Sequence, residues 1–119
     1  MLDDDVAVAF LDRRPVFKGH VLVVPRRHVV TLLDLGDDEL GPYFARVRRV
    51  TAAVQEAMSA DGSFVAMNNV VSQSVAHLHV HVVPRRRGDG LRGFFWPRQR
   101  YASDDEMTIT ARAMRGLIS

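Results

Sequence analysis

Ala76 to Val83 reads as one strand, within which His77, Leu78, His79, Val80, His81 and Val82 alternate without a break. A repeat of two is the repeat of an extended strand, in which successive side chains face opposite ways. Leu78, Val80 and Val82 are then expected to enter a core. The three imidazoles share the other face, with neighbours about 6.6 Å apart and the outer two about 13 Å apart at the usual rise of a strand. Pro84 is expected to end this strand.

The rest of the chain supplies partners for it. Val6 to Phe10 is a short β-favouring run, broken by the turn Asp12-Arg13-Arg14-Pro15. Gly19 precedes the branched run His20-Val21-Leu22-Val23-Val24, which Pro25 closes; the two runs are spaced for an antiparallel pair. Leu40, Tyr43, Phe44, Val47, Val50, Val54, Ala57 and Met58 recur at three- and four-residue steps, the stripe of an amphipathic helix. Asp37 or Asp38 is the expected cap, and Pro42 fits only within the first turn. Asp61-Gly62 closes that helix. Phe64 to Met67 is a further strand, joined to the histidine strand by a polar-leaning loop from Asn68 to Ser74. Arg85 to Gly90 forms another loop. Ser103-Asp104-Asp105-Glu106 is a capping box opening a second helix, with Met107, Ala111, Met114, Leu117 and Ile118 on one face. The expected fold class is α+β, an antiparallel sheet with one long helix and a C-terminal helix. At 119 residues the chain is expected to be a single domain over 1–119.

Composition narrows the function classes. An apolar content of 47% and a charged content of 25% suit a globular protein. Sixteen basic residues against fourteen acidic ones leave a net charge of +2, too slight to argue for nucleic acid. Arg85-Arg86-Arg87 follows the histidine strand and is read as a solvated cluster that can also gather anions; without interleaved aromatics, nucleic-acid binding is not expected. No cysteine is present, which excludes disulfides and thiolate metal sites. No apolar run reaches the roughly 20 residues needed to span a bilayer. Met1-Leu2-Asp3-Asp4-Asp5 is acidic where a signal peptide is basic and then apolar, so a cytoplasmic location is expected.

The chemistry lies in the alternating segment. A lone histidine in a strand is ordinarily structural, but each of three buried imidazoles would need its own partner. One imidazole can attack phosphorus while the next donates to the phosphate or holds the ring's tautomer. The rival is zinc, which a His-x-His pair on one strand face can hold. Three histidines in a line do not converge on one ion, so spacing favours catalysis while leaving the metal reading open.

The motif His77-Leu78-His79-Val80-His81-Val82-Val83, with Gln73-Ser74 just upstream, resembles the signature of the histidine-triad family. The resemblance extends over residues 6–87 and includes Phe10-Leu11-Asp12 with Pro15, then Gly19-His20-Val21-Leu22-Val23-Val24-Pro25 and His28. It implies a two-fold homodimer that binds a purine nucleoside phosphate and cleaves at the α-phosphorus, without a cofactor or metal. His79 would be the nucleophile, His81 would hydrogen-bond the phosphate or ribose end, and His77 would orient the nucleophile from behind. Ser74 would contact the leaving group or phosphate, and Gln73 would line the same loop. Asp12 would accept from the ribose hydroxyls, Phe10 and Val24 would lie near the base, and His20 near the phosphate. Asn68 matches a family asparagine or glutamine after the preceding strand; for one of Asn68 and Asn69, ordinary turn chemistry is expected. Where the family commonly carries glycines, this loop is shorter and holds Val70, Val71 and Ser72. For Phe94-Phe95-Trp96, dimer contact, packing and a pocket lid are all open. Three functions are therefore carried forward: a nucleotide hydrolase or transferase, a nucleotide-binding regulatory module with little turnover, and a zinc-dependent protein using His77 or His79.

Overall fold

A computed structural model describes residues 1–92 and 97–118; the core of the aromatic segment at 94–96 lies outside them. Residues Met1–Asp89 form one compact unit, and the chain from Gly90 onwards forms a second.

In the first unit, strands β1 (Leu2–Asp3), β2 (Ala7–Leu11), β3 (Val21–Pro25), β4 (Gly62–Ala66) and β5 (Val80–Arg85) make one antiparallel sheet in the order β1-β2-β3-β5-β4. Helix α1 (Asp37–Ala57) covers one face of it. The register explains the choice of face. Ala9 is opposite Val23 and Val23 opposite Val80, while Val21 is opposite both Leu11 and Val82, so the small and branched residues line up across three strands. Against that row the helix sets Tyr43, Val47, Val50 and Val54, all buried. Tyr43 brings a hydroxyl into this apolar layer, and it donates to the Val23 carbonyl at 2.7 Å. Burial pushes the Tyr43 phenol above its ordinary pKa.

Several boundaries differ from those expected of the sequence. The histidine strand does not run from Ala76: Ala76 and His77 lie in a bend, residues 78–79 belong to no element, and β5 starts at Val80. The segment is held instead by the chain after β3, where Leu78 N–H donates to the Val29 carbonyl at 2.8 Å. Pro84 lies inside β5 rather than ending it, opposite Ser63; β3 stops pairing at Val82, so proline's missing donor falls where one side of the strand is already free. The first helix is capped by Gly36, not by Asp37 or Asp38, with the Glu39 carboxylate accepting from Gly36 N–H at 3.0 Å. Pro42 sits past the first turn, and the Asp38 carbonyl that loses its helical donor belongs to an exposed residue that water can serve. Two elements carry no signal that the sequence reading used: β1, two residues long, and a single 3₁₀ turn at Leu32–Asp34.

The second unit contains α2 (Asp104–Ile118). Ser103 Oγ accepts from Glu106 N–H at 3.1 Å, the cap expected there. The helix buries no residue; Met107, Met114, Leu117 and Ile118 are all exposed.

Candidate active site

The sheet face opposite α1 carries the candidate site. Cross-strand partners share a face, so the pairs Phe10–Leu22, Leu22–His81 and Ala66–His81 define one row across four strands, with Val8 and Val24 paired beside it. No helix of the first unit covers that row, which leaves Phe10 44% exposed beside the half-buried Leu22 and Val24. An apolar shelf thus leads directly to His81.

His79 continues the alternation upstream of β5, between two fully buried neighbours, Leu78 and Val80. Its Nδ1 is 2.8 Å from the carbonyl oxygen of His77. A carbonyl can only accept, so Nδ1 carries the proton and Nε2 keeps its lone pair. The ring is 9% exposed and packs edge-on against His81 with centroids 5.0 Å apart. His77 therefore acts on His79 through its backbone. Its own ring turns to the Pro25 carbonyl, to which Nε2 donates at 2.9 Å, and meets His28 edge-on at 4.9 Å. The end of β3 thereby fixes the start of the histidine segment.

His20, expected near the phosphate, is only 3% exposed and lies behind His81, with Nε2 3.0 Å from His81 Nδ1. Burial holds the pKa of both imidazoles below the ordinary histidine value; for His81 the charges that His79 and His20 would carry push the same way. The Asp12 carboxylate, 3.8 Å from His20 Nε2, opposes this weakly. Its other oxygen accepts from Arg14 N–H at 2.8 Å, which shapes the turn after β2.

The loop between β4 and the histidines is held by its own amides. Gln73 accepts from Val70 N–H at 3.0 Å and donates to the Val30 carbonyl, so both ends of its side chain brace the loop. Asn69 accepts from Leu32 N–H at 2.8 Å, whereas Asn68 donates to the Ser72 carbonyl at 3.3 Å. Both asparagines thus serve the backbone. Val70 and Ser72 hold positive φ angles of 70° and 61°, at places where glycine would relax the chain. Ser74 is exposed, and its hydroxyl has no hydrogen-bond partner among the described residues.

Three contributors escaped the sequence reading: the Pro25 carbonyl, the ring of His28 against His77, and the backbone N–H of Val16, 3.1 Å from His20 Nδ1. Only the spacing Pro25-x-x-His28 hinted at any of them. As for metals, Asp12, His20 and His81 offer ligand atoms within 4.8 Å of one another, whereas neither His77 nor His79 belongs to such a group among the described residues.

Comparison with known proteins places this geometry. The HIT domain model matches residues 1–88. A bis(5'-nucleosyl)-tetraphosphatase of Schizosaccharomyces pombe is 38% identical over 71% of the chain, which spans only 47% of that protein's length. The adenosine 5'-monophosphoramidase hnt1 of the same organism is 32% identical over 77% of the chain and 68% of its own length. The crystal structure of SMU.412c from Streptococcus mutans superposes with a TM-score of 0.88 at 32% identity, covering all of this chain and 76% of that one. These two named relatives are nucleotide hydrolases, and the fold is shared with the Streptococcus mutans structure. The chain belongs to the histidine-triad (HIT) family.

Proposed function

We propose that the protein is a hydrolase or transferase that cleaves at the α-phosphorus of purine nucleotides, such as phosphoramidates or dinucleoside polyphosphates. The observation that carries this reading is the bond from His79 Nδ1–H to the His77 carbonyl, which leaves the lone pair on Nε2. Nε2 attacks the α-phosphorus, the bond to the leaving group breaks, and an amine leaving group departs with a proton relayed through the Ser74 hydroxyl, which regains one from the water that attacks next. Water then attacks the same phosphorus, the P–N bond breaks, and a nucleoside monophosphate is released with His79 restored. His81 donates to a phosphate oxygen, and Ser74 donates to the leaving group. The base rests on the shelf of Phe10 and Val24, Asp12 accepts from the ribose, and Gln73 and Asn68 hold the loop that borders the phosphate.

β4 is the outermost strand of the described sheet and its Val65 is 43% exposed, which supports a two-fold homodimer. No described helix is long and apolar enough to cross a membrane.

The experiment is a panel of adenosine and guanosine phosphoramidates, dinucleoside polyphosphates and nucleotide sugars, scored by release of nucleoside monophosphate. Turnover of at least one member is expected. Tight binding across the panel without any product would favour a regulatory nucleotide-binding module instead.

A further inference from the structure

His20 sits too deep to reach a substrate, yet it is joined to the one triad member that lies within the sheet ladder. The direction of its bonds can be worked out atom by atom. Val16 N–H points at His20 Nδ1 from 3.1 Å. A backbone N–H can only donate, so Nδ1 must be the bare nitrogen, and in a neutral imidazole the proton is then on Nε2. That Nε2–H lies 3.0 Å from His81 Nδ1, which must in turn be bare to accept it. His81 is left with its proton on Nε2. A protonated His20 would set an Nδ1–H against the Val16 donor, and burial of the ring disfavours the charge as well. The turn that aims Val16 depends on Gly19, whose φ of +94° suits glycine and whose Cβ, if it had one, would fall 2.5 Å from Met58 Cγ.

We propose that His20 is a positioning residue that locks His81 in its Nε2–H tautomer, its own tautomer being set by the backbone N–H of Val16. The lock matters to chemistry because only the Nε2–H form of His81 offers a proton to substrate, while its Nδ1 is already engaged. In that respect the inference rests on the reading of His81 as the donor to phosphate. The same bonds argue against a metal at Asp12, His20 and His81, despite their spacing. A metal on His20 Nε2 would force the proton onto Nδ1, against Val16 N–H.

Long-range 1H–15N correlation spectra of the 15N-labelled protein near neutral pH read the tautomers directly, whatever the substrate proves to be. The expected result is bare Nδ1 and protonated Nε2 for both His20 and His81, unchanged when zinc is added. A protonated Nδ1 at either residue, or zinc-induced shifts of both, would overturn the proposal. Two variants extend the test. His20→Leu removes the donor, so His81 should divide between tautomers and kcat should fall about tenfold or more, the scale of one functional hydrogen bond lost, with KM little changed. His20→Gln can place an amide N–H near the same point and should restore both the single tautomer and most of the lost rate. If His81 stays in one Nε2–H form in the Leu variant, the lock lies elsewhere. If His20→Leu does not fold, the wild-type spectrum and the Gln variant still decide. Absence of turnover in the wild-type protein would refute the proposed reaction and leave the tautomer result standing.

Discussion

The two faces of the sheet are built from the same strands and obey opposite rules. Toward α1, Ala7, Ala9, Val21, Val23, Val80 and Val82 are closely packed and have no chemistry beyond volume. Toward solvent, one residue along, Phe10, Leu22, Val24 and His81 form a shelf that ends in imidazoles joined through N–H and lone-pair contacts. Side chains a single residue apart, such as Leu78 and His79, therefore fall under different selection: one by how much space it fills, the other by where its proton sits. Substitutions on the first face should move stability and leave the chemistry of folded molecules alone. Those on the second should do the reverse.

Leu78→Ala is the harshest way to probe that division. The side chain is fully buried between two histidines of the site, and its truncation should cost about 2–5 kcal/mol of stability. Denaturant unfolding should show that loss, while turnover per folded molecule changes far less. An unshifted midpoint would mean that the packed face extends less far than residue 78.

Ser74→Ala tests the other side. With a poor leaving group such as an alkyl amine, loss of a hydrogen bond worth about 1.5–3 kcal/mol should slow adenylyl transfer roughly tenfold to a hundredfold. With an activated aryl or indole amine the change should be nearly silent, and the melting temperature should not move, since the hydroxyl has no partner among the described residues. Equal slowing of both substrates would remove Ser74 from the chemistry.

A smaller effect is expected where the loop itself is strained. Val70 is β-branched and sits at φ 70°, so Val70→Gly should raise stability by about 0.5–1 kcal/mol, the left-handed penalty less the entropy of glycine. A lower melting temperature would show that the valine side chain makes up for its backbone.

The smallest effect is electrostatic and lies at the start of α1. Arg27 pairs with Glu39 and, with the Gly36 N–H, lowers the glutamate's pKa to about 2. A depressed folded-state value means that this stability is present above the unfolded value near 4.5 and fades as pH falls toward about 2. Glu39→Gln should flatten that part of the stability curve in urea titrations. An unchanged acid limb would show that solvent screens the pair completely.

These contrasts also explain what could be read from the residues alone. The strand over Val21–Val24, the stripe of α1 and the Ser103 cap are legible because period and local hydrogen bonds decide them. The neighbourhood of His79 and His81 is legible for the same reason, their rings meeting at 5.0 Å, whereas His77 lies in a bend and turns its ring to the Pro25 carbonyl. The start of β5 is not, because Leu78 and His77 are caught by the Val29 and Pro25 carbonyls, contacts between segments some fifty residues apart in sequence. The place of His20 is hidden likewise: Gly-His before a branched run signals a strand entry, but only the fold brings that ring behind His81. Gln73 shows the limit of a matched motif, for its amide is spent on bracing the loop at Val70 and Val30.

The central claim is that His79 Nε2 becomes covalently bonded to phosphorus. The direct measurement is mass spectrometry of protein quenched in the presteady state with an adenosine phosphoramidate, under conditions that preserve P–N bonds, followed by peptide mapping. An adenylyl group on His79, formed and discharged at rates consistent with turnover and missing in a folded His79→Asn variant whose activity is below about a hundredth of wild type, is the predicted result. Turnover without any adduct, an adduct on another histidine, or a His79→Asn enzyme that keeps more than that hundredth would contradict it.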